Sequence, residues 1–345
     1  MNEVLDIPEQ LAEIQNWVLG GLSLVADCIE STLASDIPAV ASLCRHVERF
    51  RGKMLRPTLV FVSGAAAGTP IDCPPPEELV RLASVVEMVH MATLVHDDVL
   101  DDAEIRRQAR TINSQAGNET AVLLGDYLIA ASFRLCASLD DPEPSRIIGR
   151  VSMELCAGEL LQLSNRDNLS IDEATYFEIL EGKTASLVGA CTMLGARVGG
   201  GVGGGDDQLQ AGMDQFGRKI GVAFQVQDDL LDLLGSESVV GKTLGRDLKK
   251  GKLTLPMIHH LATQPIATRG DSLMMFESAS ERSGPVATEA VGVLDALVET
   301  DSIGYARAVA ADLVLQAKRA IADVPDGPAR SVLELLADAV LTRHK

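Results

Sequence analysis

The stretch 95-VHDDVLDDAEIRRQAR-110 places four aspartates in six residues at the end of an apolar run, 85-VVEMVHMATLVH-96, that reads as a helix entering a core. Asp97, Asp98, Asp101 and Asp102 repel one another, so a fold that buries the preceding run must also offset this charge. The pattern returns about 130 residues later in 224-FQVQDDLLDLLG-235, where Asp228, Asp229 and Asp232 repeat the DDxxD spacing of Asp97, Asp98 and Asp101. At about 100° per residue, helix positions i and i+4 nearly eclipse and i+1 lies to one side, so each DDxxD presents a three-carboxylate claw. One claw alone is an ordinary solvated face. Two with identical spacing, each in apolar helix and facing each other in a bundle, gather about six negative charges that only cations make tolerable.

Hard oxygen ligands without His or Cys point to Mg²⁺, with Mn²⁺ as the alternative. Magnesium keeps waters and recruits phosphate oxygens rather than filling its shell from protein, so the claws imply a phosphorylated substrate. Cations concentrate beside them in an otherwise acidic chain. Arg106 and Arg107 lie about two turns past Asp98, and Lys242, Arg246, Lys249, Lys250 and Lys252 follow the second claw. Lys183 sits in 181-EGKTASLVGA-190, and Lys53 and Arg56 in 51-RGKMLRP-57.

The remaining sequence supplies the bundle. Hydrophobic residues make up 46% and aromatics 3% of 345 residues, so the core is built from Leu, Val, Ala, Ile and Met. Helical spacing predicts a first helix over 9–34 despite Gly20-Gly21, and Pro57 suits a helix start. The cluster 68–78 reads as a loop. Further helices are expected at 77–105, 117–139, 144–164, 172–198, 206–236 and 251–263, with two or three more to the end. The glycine run 199–205 reads as a flexible loop between two helices. No strand-like alternation persists and no internal repeat is found, so the expected fold is all-α, a single domain over 1–345.

A net charge of −19 argues against nucleic acid as a partner. Six scattered cysteines, without metal-ligand spacing, read as small buried hydrophobes in a reducing compartment. The acidic N-terminus lacks the pattern of a signal peptide, and no run of about 18 uncharged apolar residues suggests a membrane span. A soluble cytoplasmic protein is the expectation.

From about residue 40 to the end, the chain resembles the trans-polyprenyl diphosphate synthases, the prenyl-elongating branch of the isoprenoid synthase fold. The motifs are GKMLRP (52–57), ExxHxxxLxHDDVLDDxxxRR (87–107), AVLLGDYL (121–128), GKT (182–184), FQVQDDLLD (224–232), GKTLGRDLKKGKLTLP (241–256) and the weaker IGYAR (303–307). Residues 1–39 add only an N-terminal helix. The resemblance implies a reaction joining an allylic diphosphate to isopentenyl diphosphate: the allylic C–O bond ionises, the isopentenyl double bond attacks the cation, and a proton is lost to the departing diphosphate.

By motif, Asp97, Asp98, Asp101, Asp228, Asp229 and Asp232 resemble the metal ligands, while Asp102 lies outside the DDxxD. Arg106, Lys183, Lys242 and Lys252 resemble the allylic diphosphate site, and Lys53, Arg56, His90 and Arg107 the isopentenyl diphosphate site. Thr184 and Gln225 would stand beside the cation. His96 abuts the claw and would at most orient Asp97. Gln108 and Arg51 depart from glycines usual in the family without removing a charged ligand.

Product length in this family follows tunnel depth below the first claw. Ala92 and Thr93, then Met88 and Val89, would line its upper wall. Ala92 and Thr93 are small, and the claw lacks the two-residue insertion of bacterial short-chain enzymes, so the resemblance favours a long-chain synthase making quinone side chains. Geranylgeranyl- or farnesyl-type products stay open as an alternative, as does a non-catalytic partner subunit. A terpene cyclase would usually carry a second metal motif of Asn/Ser/Glu type. A homodimer is implied by the family, and peripheral membrane contact by a lipid product.

Overall fold

The computed structural model describes residues 9–48, 52–107, 109–201, 206–234, 251–281 and 287–343. After a 3₁₀ turn at Glu9–Leu11 come α1 (Ala12–Leu33), α2 (Pro38–Glu48), α3 (Leu55–Ala66) and α4 (Glu77–Leu100). A hairpin of β1 (Ile105–Arg106) and β2 (Ala109–Arg110) leads to α5 (Ile112–Ala116), α6 (Asn118–Cys136) and α7 (Glu143–Ser164). Then follow α8 (Glu173–Leu180), a π-helical turn (Glu181–Ala185), α9 (Ser186–Gly199) and α10 (Asp207–Leu234). The last are α11 (Leu255–Thr263), α12 (Ile266–Glu281), α13 (Ala287–Glu299), α14 (Ser302–Ala320) and α15 (Pro328–Thr342).

The all-α expectation holds, with local corrections. Helix α2 was not expected, and four helices follow Thr263 rather than two or three. The hairpin is antiparallel, with Ile105 opposite Arg110 and Arg106 opposite Ala109. Helix α4 stops at Leu100, short of the expected 105, and the reason is local. Asp102 is left-handed, with φ 48°. Its N–H bonds Val99 O, and the Ala103 N–H bonds Asp98 O at 2.9 Å. These two bonds form a Schellman stop with aspartate where glycine is usual.

The residues gather into two compact units. The first comprises 1–152, 187–214 and 321–334, and the second 153–186, 215–320 and 335–345.

In the first unit α4 packs on α6, α3 and α1. Fourteen of its 24 residues are buried, on every side, as befits a central helix. It is long and apolar enough to cross a membrane, but 72% of its apolar window is buried inside the protein, which marks a core helix. Helix α1 buries Ile14, Trp17, Val18, Gly21, Val25 and Ile29 at three- and four-residue spacing. Gly21 is required there: a Cβ would stand 2.7 Å from the Phe61 ring. Trp17 meets the same ring edge-on at 5.6 Å and donates its indole N–H to Cys73 O.

In the second unit α11 is central, packing on α8, α12, α13 and α14. His260 on α11 is buried, with Nδ1 3.0 Å from Thr300 Oγ1 and Nε2 2.9 Å from Ser272 Oγ. Burial lowers its pKa and keeps it neutral.

Candidate active site

The first claw sits on the last turn of α4. Asp98 is buried, 2% exposed, while Asp97 and Asp101 are half-buried at the rim. The helix stop folds the hairpin back, so Arg106 does not lie two turns further along a helix as the sequence suggested. Its Nε and Nη2 each reach Asp98 Oδ1 at 2.8 Å. Asn113 on α5 donates to Asp98 O and Ala103 O at 3.1 Å, which clamps the turn. His96 lies over Gly125, where a Cβ would be 2.1 Å from Nε2, and that nitrogen is 3.2 Å from Val122 O.

Behind this claw lies a basic corner. His90 has its pKa lowered well below the ordinary value, by burial first and then by Arg56, Arg107 and Arg106. It is therefore neutral at pH 7. Arg56 is lowered by burial too, with Cys191 and then Glu87 opposing and Arg107 adding. Arg56 Nε is buried without a hydrogen-bond partner, a group that an anionic ligand would satisfy. Arg107 is exposed, at φ 48°, with its guanidinium across Gly52, where a Cβ would be 2.5 Å from Nη1. Lys53 is exposed. Met54, Asp102 and Arg107 are three of only five non-glycine residues with positive φ among those described. Backbone strain of this kind concentrates at functional sites.

The buried counter-charge is Glu87, at 3% exposure, the first residue of the 87–107 motif, and the sequence alone does not assign it a role. Burial pushes the Cys191 thiol up to about 12, with Arg56 opposing and Glu87 adding, so it is inert at neutral pH.

The second claw begins in the same way and is held differently. Asp229 is buried, 6% exposed. Tyr176 donates its hydroxyl to Asp229 Oδ2 at 2.7 Å, and Gln225 Nε2 donates to Oδ1 at 3.1 Å. Asp228 keeps half its surface in water, and Asp232 is half-buried. Desolvation raises the Asp228 pKa, with Arg343 opposing and Asp232 adding to the shift. Arg343 lies 4.0 Å over the Phe224 ring, with Nη1 3.6 Å from Asp228 Oδ1.

Asp229 opens into a cavity of about 120 Å³ lined by Gln162, Tyr176, Lys183, Thr184, Gln225 and Lys252, among others. Five residues chosen from three separate motifs thus meet in one cavity: Lys183, Thr184, Gln225, Asp229 and Lys252. Lys183 Nζ stands 2.5 Å from Glu159 Oε2, and Gln162 Nε2 donates to Glu159 Oε1. Lys242, Arg246, Lys249, Lys250, Arg51 and Gln108 lie outside the described residues.

Tyr176, Glu159, Gln162 and Arg343 were missed from sequence. Tyr176 alone had a signal, since it stands seven residues, two turns, before Lys183. The residues proposed for the tunnel wall are closed in: Met88, Val89 and Ala92 are buried, and half-buried Thr93 donates its hydroxyl to His90 O.

Among the described residues, no three His, Cys, Asp or Glu side chains form a metal cage. The donor chemistry of the claws nonetheless fits a hard cation. Magnesium is commonly held by one or two carboxylates, with water and phosphate filling the rest.

The polyprenyl synthetase family profile matches residues 37–289. Heptaprenyl diphosphate synthase component 2 of Bacillus subtilis is 32% identical over 309 residues, 90% of this chain and 84% of that protein. The short chain isoprenyl diphosphate synthase of Methanothermobacter thermautotrophicus is 30% identical over 348 residues, with both chains fully covered. Among solved structures, a decaprenyl diphosphate synthase from Rhodobacter capsulatus superposes with TM-score 0.86 at 31% identity, over 97% of this chain and 99% of its own. A polyprenyl synthase from Caulobacter crescentus, complexed with calcium and isoprenyl diphosphate, gives 0.84 at 28% identity, over 98% and 100%. The chain belongs to the polyprenyl synthetase family, the trans-polyprenyl diphosphate synthases, and is a prenyltransferase.

Proposed function

We propose that the protein condenses isopentenyl diphosphate with an allylic diphosphate in repeated trans additions, with Mg²⁺, to give a long-chain polyprenyl diphosphate serving as a quinone side-chain precursor. The observation that carries this reading is the cavity where Lys183, Thr184, Gln225, Lys252 and Asp229 meet. It offers two ammonium groups to an anion and a hydroxyl and an amide oxygen to a cation. Lys183 and Lys252 bind the allylic diphosphate, and Arg106 and Lys242 complete that set. Thr184 and Gln225 stabilise the allylic cation. Lys53, Arg56, His90 and Arg107 bind isopentenyl diphosphate, and the unsatisfied Arg56 Nε supports that assignment.

Asp97 and Asp101, then Asp228 and Asp232, are the claw residues with surface left to hold metal, and Asp98 and Asp229 stand behind them. Mg²⁺ held there would supply charge neutralisation for the leaving diphosphate. The departing diphosphate accepts the proton, so no side chain need act as base. Small Ala92 and Thr93 support the long-chain assignment. The protein acts as a homodimer in the cytoplasm and touches membranes only to release product.

A second reading follows from the Bacillus subtilis relative, whose name makes it one component of a synthase. By that reading this chain needs a partner subunit. The test is to incubate the pure protein with Mg²⁺, labelled isopentenyl diphosphate and either farnesyl or geranylgeranyl diphosphate, then size the dephosphorylated products. A ladder running past the twenty-carbon alcohol is expected. A stop at twenty carbons overturns the chain length, and no incorporation brings the partner subunit forward.

A further inference from the structure

Lys183 and Thr184 do not sit on regular helix. The chain from α8 to α9 passes through the π-helical turn Glu181–Ala185, closed by the Ser186 N–H bonding Glu181 O. Such turns widen a helix and are frequent at functional sites. This one bulges directly onto α7. A Cβ placed on Gly158 would stand 2.4 Å from Lys183 N, 2.7 Å from Gly182 C and 2.9 Å from Gly182 Cα. The contact is reciprocal, since a Cβ on Gly182 would be 2.9 Å from Gly158 Cα and 3.0 Å from Glu154 O. These are backbone atoms, which cannot swing aside as a side-chain tip can. One residue further along α7, Glu159 holds the other end of Lys183, its Oε2 2.5 Å from Nζ, and is itself held by Gln162. Helix α7 thus lies close against the backbone of Lys183 at Gly158 and holds its ammonium through Glu159.

We propose that Gly158 is a positioning residue for the allylic diphosphate site: its missing side chain lets the π-turn close on α7 and so fixes where Lys183 and Thr184 enter the cavity. The inference rests on the function proposed above. Any side chain at 158 must push the turn off α7, and displacements of about 1 Å at a reacting centre can cost as much as ~10²-fold. The basic corner around Arg56 and His90 is built from other elements, so its ligand should not feel the change.

The experiment compares Gly158→Ala, Gly182→Ala and Gly149→Ala in steady-state kinetics with Mg²⁺, varying each substrate in turn. Gly149 lies on the same helix with nothing within 4 Å of its would-be Cβ and serves as the control. Gly158→Ala should raise the allylic KM by ~10-fold or more and lower kcat, with the isopentenyl KM within ~2-fold of wild type. Gly182→Ala, whose contacts are less severe, should shift the allylic KM in the same direction by a smaller factor. If Gly158→Ala does not fold, as judged by its melting curve, Gly182→Ala carries the test. An unchanged allylic KM in the folded variants overturns the proposal. So does an equal rise in both KM values, which would mark general loss of structure. A wild type and Gly149→Ala that do not turn over would overturn the functional reading itself, whereas an active wild type with unaffected variants overturns only Gly158.

Discussion

The two DDxxD claws are identical in spacing, yet the protein holds them by different means. In each the middle aspartate is the buried one, Asp98 at 2% exposure and Asp229 at 6%. Asp98 is tied to a cation, Arg106, while Asp229 accepts from two neutral donors, Tyr176 and Gln225. A buried ion pair leaves a net charge near zero, whereas a carboxylate held by neutral donors keeps its negative charge. The first claw is thus partly neutralised by its own chain at its deepest point. In the second, Arg343 approaches Asp228 at the half-exposed end, and Lys183 and Lys252 line the cavity into which Asp229 opens. The same sequence pattern therefore fixes which carboxylate is buried but not what answers its charge.

The largest effect should come from the rim. Asp97→Ala or Asp228→Ala is expected to lower turnover by ~10²–10³, the scale of losing one electrostatic stabiliser, with little change in melting temperature. Near-wild-type rates in either variant would remove that claw from the chemistry.

The middle aspartates should differ in stability. Arg106→Gln removes the cation from a buried carboxylate and should cost about 3 kcal/mol, the low end for breaking a buried pair, because Arg106 itself is 27% exposed. Tyr176→Phe removes one neutral donor while Gln225 stays, and should cost about 1–2 kcal/mol. Urea unfolding of both variants reads the difference directly. Equal losses would mean that the two anchors are equivalent after all.

Ala92→Phe sharpens the account of the first claw's helix. Ala92 is fully buried, so the added ring should cost about 1–3 kcal/mol by overpacking and also shorten the product. An unchanged product distribution in folded variant protein would place Ala92 away from the growing chain.

The smallest effect concerns pH. Burial holds both His90 and His260 below their ordinary pKa, so the unfolded chain takes up protons that the folded chain refuses. Stability should therefore be full above about pH 6.5 and fall as the solution is acidified through the unfolded value. His260→Gln should make that fall shallower in melting curves between about pH 7 and 5.5. A slope unchanged from wild type would exclude His260 as a contributor.

Local patterns were legible in the sequence because period and claw spacing act within one or two turns. The long helices and both claws could be named from helical spacing, and the set Lys183, Thr184, Gln225 and Lys252 from the resemblance to the family. The stop at Asp102 was not, since aspartate rarely takes the left-handed conformation that ends α4. Without that stop, the return of Arg106 to Asp98 could not be foreseen. Tyr176, Glu159 and Arg343 reach their partners from 53, 24 and 115 residues away, separations at which helical periodicity carries no information. Gly158 was equally silent, because a glycine within an amphipathic helix announces neither what crosses it nor how closely.

The most direct test of the metal-claw account is the gain in melting temperature when Mg²⁺ and inorganic pyrophosphate are added together. A ligand at 100 times its Kd stabilises the folded state by about 2.7 kcal/mol, which a melting curve resolves readily. On the function proposed above, wild type should gain, and Asp97→Ala and Asp228→Ala should each lose most of that gain. A full gain in either variant, or a gain in wild type with pyrophosphate alone, would contradict it.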